Sequence, residues 1–326
     1  MGDLVLGLVA IVLGVVTSYA LYWLLNFLVS LLPERLRDKS QVFAFLTPAA
    51  VLVILVLVLP LFQTINWSFR DDQGEEVVGL ENYTTLFTSP EFLGVLLNNF
   101  LWVLVVPAIT VFFGTVVATL GNNVGPTREK IFKSLIFMPM AISFVAASTI
   151  WGYMYVYNPP GRPTIGLLNA VVGFFGIDPQ PWMTITDYRL NSFLLMAVVV
   201  WLQVGYSMVI ISAAIKAVPE ETLEAARIDG ANAWQVFAKV VLPQVWGTIM
   251  AVFVTVLILV MKIFDIVLAM TGGNFETRVL AYQWYMAFFE SGDLGPASAI
   301  VIILVVLISP LMYIQIRAVK NQEALR

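Results

Sequence analysis

The sequence predicts an all-α polytopic membrane protein with about seven transmembrane helices. Three observations predict it. Of the 326 residues 60% are hydrophobic and 12% charged, where a soluble domain carries roughly 25% charged residues. Apolar runs of the roughly 20 residues that cross a bilayer as a helix recur at about 4–32, 41–63, 96–120, 134–156, 192–216, 245–270 and 296–316. These runs are continuous rather than alternating, which excludes the pattern of a β-barrel. In lipid each run satisfies its own backbone polar groups only as a helix.

The first run has only Asp3 as a charge before it and is too long for a leader's apolar segment, so it is read as a retained helix. Arg35, Arg37 and Lys39 follow it, and the second run begins at 41. The third run opens with Asn98 and Asn99, read as ties between helices, and is followed by Arg128, Lys130 and Lys133. The fourth carries Ser143, Ser148, Trp151 and Tyr153. Lys216, Arg227 and Lys239 separate the fifth from the sixth, and Arg317, Lys320 and Arg326 follow the seventh. The alternate loops hold single arginines, Arg70, Arg162, Arg189 and Arg278, and Lys262 lies inside the sixth run. Basic residues mark cytoplasmic loops. The expected orientation is therefore N-terminus outside and C-terminus in the cytoplasm.

The outer loops, about 64–95, 157–191 and 271–295, contain turn signals such as Asn158 to Pro163 and Thr271 to Gly273. Trp67, Trp182, Trp284, Tyr83 and Tyr188 sit in or beside them. Two readings of these aromatics stand: a belt at the membrane interface, or a docking surface for an external partner.

The chain has no Cys and no His. Disulfides, thiolate chemistry and the usual base near neutral pH are excluded, and no catalytic or metal-ligating set is expected. A net charge of −4 gives no reason to expect nucleic acid. No phosphate loop of the form G-x-x-x-x-G-K-[ST] occurs, so the chain is not itself an ATPase.

One polar stretch interrupts the apolar chain, EAARIDGANAWQVFAKVVLP from Glu224 to Pro243. Pro219 suits the start of a helix, and Glu220, Glu221 and Glu224 complement its N-terminal dipole. Gly230 supplies a left-handed stop after Asp229. Asn232 and Gln235 form a capping box for a second helix, with Ala233, Val236, Phe237 and Val240 as its apolar face. Pro243 is expected to end that helix. The prediction is a stiff, amphipathic hairpin at the cytoplasmic side, with Ala225 and Ala226 as a smooth contact surface. It is read as a docking element, against the alternative of an ordinary linker.

The stretch Glu224, Ala225, Ala226, Gly230, Val241, Leu242 and Pro243 resembles the EAA loop of ABC-importer permease subunits, in their carbohydrate, MalF-type branch. Val78 to Phe92, Leu96 to Val105, Lys262 to Thr277 and Asp293 to Ala299 resemble further segments of that family in order, and Thr271 to Phe275 is similar to its α-glucoside members. The resemblance implies a MalF/MetI-like type I ABC importer permease core over 41–326. Residues 1–40 are then an extra transmembrane helix with a cytoplasmic loop. It implies a subunit that moves a carbohydrate, an oligosaccharide such as an α-glucoside, by alternating access, with Glu224, Ala225, Ala226, Asp229, Gly230, Leu242 and Pro243 engaging the motor. The implied partners are a second homologous permease subunit in a heterodimer, two ATPase subunits holding ATP and Mg, and an extracytoplasmic solute-binding protein. Membrane lipid surrounds them, no cofactor is bound by this chain, and the location is the cell (inner) membrane.

The resemblance matches Leu202, Gln203 and Tyr206 to positions lining the sugar site. Gln203 and Tyr206 are three apart and are expected on one helix face, where helix–helix glue is the competing role. Lys262 and Asp265 are also three apart, and either pair with each other or meet sugar hydroxyls from the passage wall. Trp151 is a further candidate. The rival function is a self-sufficient secondary sugar transporter coupled through Lys262 and Asp265.

Overall fold

The computed structural model describes residues 2–31, 33–122, 124–159, 161–163 and 165–323. They are helical; the only β pairing among them is an isolated bridge between Arg70 and Val77. They divide into two compact units, Met1–Asn66 and Trp67–Arg326. In the first unit, α1 (Gly2–Ser30) turns into α2 (Glu34–Val53), and a π turn over Ile54–Val58 leads into α3 (Leu59–Trp67). Arg37 donates to the carbonyl of Ser30 at 2.8 Å, so a cation satisfies an otherwise open carbonyl at the helix end. Apolar side chains such as Leu13, Val16, Leu52 and Phe62 are exposed, as lipid-facing surfaces are.

The second unit begins with α4 (Glu81–Thr88) and α5 (Pro90–Gly121). Ser89 accepts from the backbone N–H of Phe92, and Pro90 follows it in the first turn, so α5 starts six residues before the apolar run does. Then come α6 (Pro126–Phe137), α7 (Phe144–Met154), α8 (Leu167–Phe174), α9 (Leu190–Lys216), α10 (Glu220–Ile228), α11 (Ala233–Val236), α12 (Leu242–Met261), α13 (Asp265–Thr271), α14 (Leu280–Tyr285) and α15 (Leu294–Glu323). The core is built by α5, α9 and α12, through Trp102, Val106, Leu195, Val199, Val256 and Val260. A smaller cluster joins the start of α5 to α14 and α15 through Phe92, Val95, Leu280 and Ile300.

Small residues set how closely the helices approach, as is usual where lipid gives no hydrophobic drive between helices. A Cβ on Gly205 of α9 would lie 2.4 Å from the carbonyl oxygen of Ile136 and 2.7 Å from the Cα of Phe137. The backbones of α9 and α6 therefore touch at this point.

Among the described residues, six helices are long and apolar enough to span a membrane, and a bent pair makes up to seven. Two expected spans are corrected. The fourth is not one straight helix: α6 and α7 meet at 103°. A 3-10 turn over Met138–Ala141 holds Pro139, Ile142 is extended, and Ser143 caps α7 by accepting from Ala146 N–H at 3.2 Å. A proline followed by a serine cap was a readable break signal. The sixth span stops at Met261 rather than 270; Lys262 leaves the helix, and α13 starts anew at Asp265.

Polar clusters tie each end of the unit. At one end, Lys133 of α6 contacts Glu129, Ser212 of α9 and Asn122 after α5, while Lys216 contacts Glu129. At the other, Asn98 of α5 donates to the carbonyls of Glu276 and Arg278 and accepts from Arg189 at 2.7 Å. Leu280 N–H donates to Asn99 at 2.6 Å. Asn98 and Asn99 are thus the helix ties their position suggests. Lys133 and Lys216 belong to the first cluster, and Arg189 to the second.

Candidate functional site

The hairpin leaves α9 at Lys216 and forms two helical turns with a glycine between them. Pro219 takes the N-cap of α10, Glu220 and Glu221 lie in its first turn and Arg227 in its last, each charge complementing the helix dipole. At its C-terminus Ala231 N–H donates to the Ala226 carbonyl and Gly230 N–H to the Arg227 carbonyl, both at 3.0 Å. This paired Schellman closure needs a left-handed residue, and Gly230 has φ +83. Asn232 and Gln235 form the expected capping box, with reciprocal bonds of 2.9 Å.

One face of the hairpin packs inward. Val236 and Val241 are buried, and Leu223, Ala226 and Phe237 lie against the core. The other face is open: Glu224, Ala225, Asp229, Gly230 and Pro243 are exposed, and Leu242 is half-buried. Two apolar side chains that sequence reasoning passed over, Ile228 and Trp234, are 85% and 71% exposed on it. Their signal was an apolar residue placed where the helical pattern faces water.

Pro243 does not end the second helix. The chain runs on as a helix from Ala233 to Met261. A π turn over Phe237–Val241 precedes α12, and Pro243 falls in its first turn. Proline lacks the N–H that the ordinary ladder would use, and the wider π turn accommodates that loss within a continuous helix. The hairpin is thereby fused rigidly to α12.

A cavity of about 370 Å³ lies between α7, α9, α12 and α13, lined by Ser143, Phe144, Leu202, Gln203, Leu259 and Asp265 among others. Gln203 is a buried residue and lines this cavity. The break at Met138–Ile142 lines the cavity through Met140 and Ile142, and Leu259 and Asp265, which flank the break at Lys262–Phe264, line it as well. Broken helices at such a site free backbone polar groups that an unbroken helix would use up.

The sequence-predicted candidates divide here. Leu202, Gln203 and Asp265 share the cavity. Tyr206 packs against the core instead; three residues along a helix leave it about 60° out of line with Gln203. Trp151 lines neither this cavity nor the hairpin: its ring packs on Trp201 and Tyr155, with centroids 5.8 and 5.3 Å away. Lys262 does not pair with Asp265 among the described residues. It lines a separate apolar crevice with Trp284 and Leu304. The coupling pair of the secondary-transporter reading is therefore not assembled.

Beside the second polar cluster, Tyr282 donates to the Gly272 carbonyl at 2.6 Å. Burial pushes its phenol above the ordinary value, so it stays a donor across the physiological range.

The chain matches the family model described as binding-protein-dependent transport system inner membrane component over residues 110–320. It is 42% identical over 333 residues, 97% of each chain, to the alpha-glucoside transport system permease protein AglF of Rhizobium meliloti (strain 1021). It is 44% identical over 282 residues to the osmoprotective compounds uptake permease protein GgtC of Synechocystis sp., covering 86% of this chain and 100% of that one. In fold it is similar to a chain of a bacterial ABC transporter involved in the import of the acidic polysaccharide alginate. That match has a TM-score of 0.74 at 19% identity and covers 87% of this chain and 98% of the other.

Proposed function

The chain belongs to the family of binding-protein-dependent transport system inner membrane components, and on that premise we propose that it is one half of the membrane passage of a carbohydrate importer. As a member of that family it is a multi-pass inner-membrane permease subunit of an ABC importer, working with a substrate-binding protein and an ATPase. It is a transport subunit rather than an enzyme.

The cargo of this reading is an oligosaccharide of the α-glucoside type, in keeping with the first relative named above. The observation that carries it is one cavity whose wall holds both the Gln203 amide side chain and the Asp265 carboxylate side chain. A neutral polyol is held by such amide and carboxylate groups, which would be costly in a membrane interior without a ligand. The permease domain of this reading is 41–326, with 1–40 an added transmembrane helix. The hairpin faces the cytoplasm, as the basic residues around it suggest.

Its partner across the passage is a second, homologous permease subunit in a heterodimer. Two ATPase subunits, carrying ATP and Mg, hold the two hairpins, with Glu224, Ala225, Ala226, Asp229, Gly230, Leu242 and Pro243 at this chain's contact. The solute-binding protein delivers cargo at the opposite end. Closure of the ATPase pair moves the hairpin, and its fusion to α12 passes that motion to the wall that ends at the Asp265 break. The coupling comes from different hairpin contacts in the two states.

Reconstitution in liposomes with the partner subunits tests this. Uptake of a labelled α-glucoside should require ATP, the binding protein and both permease chains. Uptake by this chain alone, driven by an ion gradient, would overturn the reading.

A further inference from the structure

We propose that a second carbohydrate subsite adjoins the Gln203–Asp265 cavity, built on the indole of Trp182. It rests on the carbohydrate reading above and extends it from a single cavity to a track.

A cavity of about 390 Å³ is lined by Ser148, Gly152, Tyr157, Trp182, Thr184 and Met270 among others. The same two helices wall both cavities. From α7, Ser143 to Val145 face the first cavity, and Ser148, Thr149 and Gly152 the second. From α13, Asp265 faces the first, and Ala269 and Met270 the second. At a rise of about 1.5 Å per residue, corresponding positions lie roughly 6–8 Å apart along each helix. A ligand too long for one cavity therefore runs along the groove between α7 and α13 into the next.

The aromatic wall is held in advance. Trp182 Nε1 donates to Asn169 Oδ1 at 2.8 Å. Asn169 is itself buried, donates to the carbonyls of Val156 and Gln180 at 3.0 and 3.1 Å, and accepts from Gln180 N–H at 2.8 Å. One fully used amide thus fixes both Trp182 and Val156, two residues of the cavity wall. Because the indole's single donor is spent inside the protein, Trp182 offers the cavity apolar ring surface. A residue of an interfacial belt would instead turn that donor to headgroups; here the ring packs against the core. The Tyr157 hydroxyl lies on the same wall, and Ser148 and Thr184, whose hydroxyls donate to the carbonyls of Phe144 and Pro181, keep their acceptor lone pairs; ring surface with such a rim suits the C–H face and hydroxyls of a sugar ring.

The test uses the complete importer in liposomes and a short and a long member of one α-glucan series, a disaccharide and a tetrasaccharide. Trp182→Ala is expected to raise KM about fivefold for the tetrasaccharide, the size of one aromatic contact, and to leave the disaccharide within about twofold. Trp182→Phe restores the tetrasaccharide. Gly152 has no atom within 4 Å of where a Cβ would stand, so Gly152→Leu fills the cavity without disturbing packing and gives the same length-selective loss. Equal changes at both lengths, or no change at either, overturn the subsite. Asp265→Asn separates the two claims by raising KM at both lengths. If it alters neither, the first cavity is not a sugar site; if it alters both and the Trp182 and Gly152 variants alter neither, only the second subsite falls.

Discussion

Lys262 and Asp265 stand three residues apart, yet a helix break separates them and they line different cavities. Lys262 is the residue at which α12 stops, and Asp265 is the first residue of α13. The break between them leaves Asp265 on the wall of the cavity that holds Gln203 and Lys262 on the wall of the crevice that holds Trp284.

Separate surroundings imply separate consequences. Asp265→Asn and Gln203→Ala should each raise the KM of sugar uptake roughly tenfold, the value of one hydrogen bond of about 1.4 kcal/mol. Lys262→Met should leave KM within about twofold, since the removed charge lies outside that cavity. Uptake kinetics of the reconstituted importer read this directly. A larger effect from Lys262→Met than from Asp265→Asn would reverse the assignment.

Gly230→Pro attacks the hinge of the hairpin. Proline holds φ near −65°, whereas this position has φ +83. The variant should reach the membrane in normal amounts, while ATP hydrolysis loses its stimulation by the loaded binding protein. Undiminished sugar uptake would count against the hairpin as a lever.

Ile228 exposes 85% of its surface beside that hinge. Placing a carboxylate there, Ile228→Glu, should cut retention of the ATPase subunits by about thirtyfold, the loss of one buried contact residue worth about 2 kcal/mol. Co-purification at graded ATPase concentrations measures it. Unchanged retention would put the motor's contact elsewhere on the hairpin.

Two glycines predict opposite outcomes for the same substitution. Gly205→Leu drives a side chain into the backbone of Ile136 and Phe137 and should cost about 1–3 kcal/mol of stability, as overpacking does. Gly152→Leu meets open space and should leave the melting temperature of the solubilised complex unchanged. Similar shifts for both would contradict the close approach of α9 to α6.

Much of the hairpin was legible because its chemistry is local. The Asn232–Gln235 capping box and the left-handed Gly230 depend on residues within one helical turn, and both appear as the sequence predicts. Pro243 misled because the rule that proline ends helices ignores a preceding π turn, which absorbs the missing donor. The bend after α6 was written in Pro139 and Ser143, but apolar length outweighed those signals. Tyr206 and Trp151 show the other limit: spacing places a side chain on a helix face, and only the neighbouring helix decides whether that face meets a cavity or a core.

By itself, then, the sequence determined the class of protein, the approximate position of most apolar helices and the capped form of the hairpin. Each of these follows from hydrophobicity, charge and contacts within a few residues. The tertiary structure alone decided which polar side chains share a cavity, that α12 stops at Met261 ahead of Asp265, and that Asn169 holds Trp182. The cavity joins segments of α7, α9, α12 and α13 that lie apart along the chain, and the packing that joins them has no signature in the spacing of any one of them.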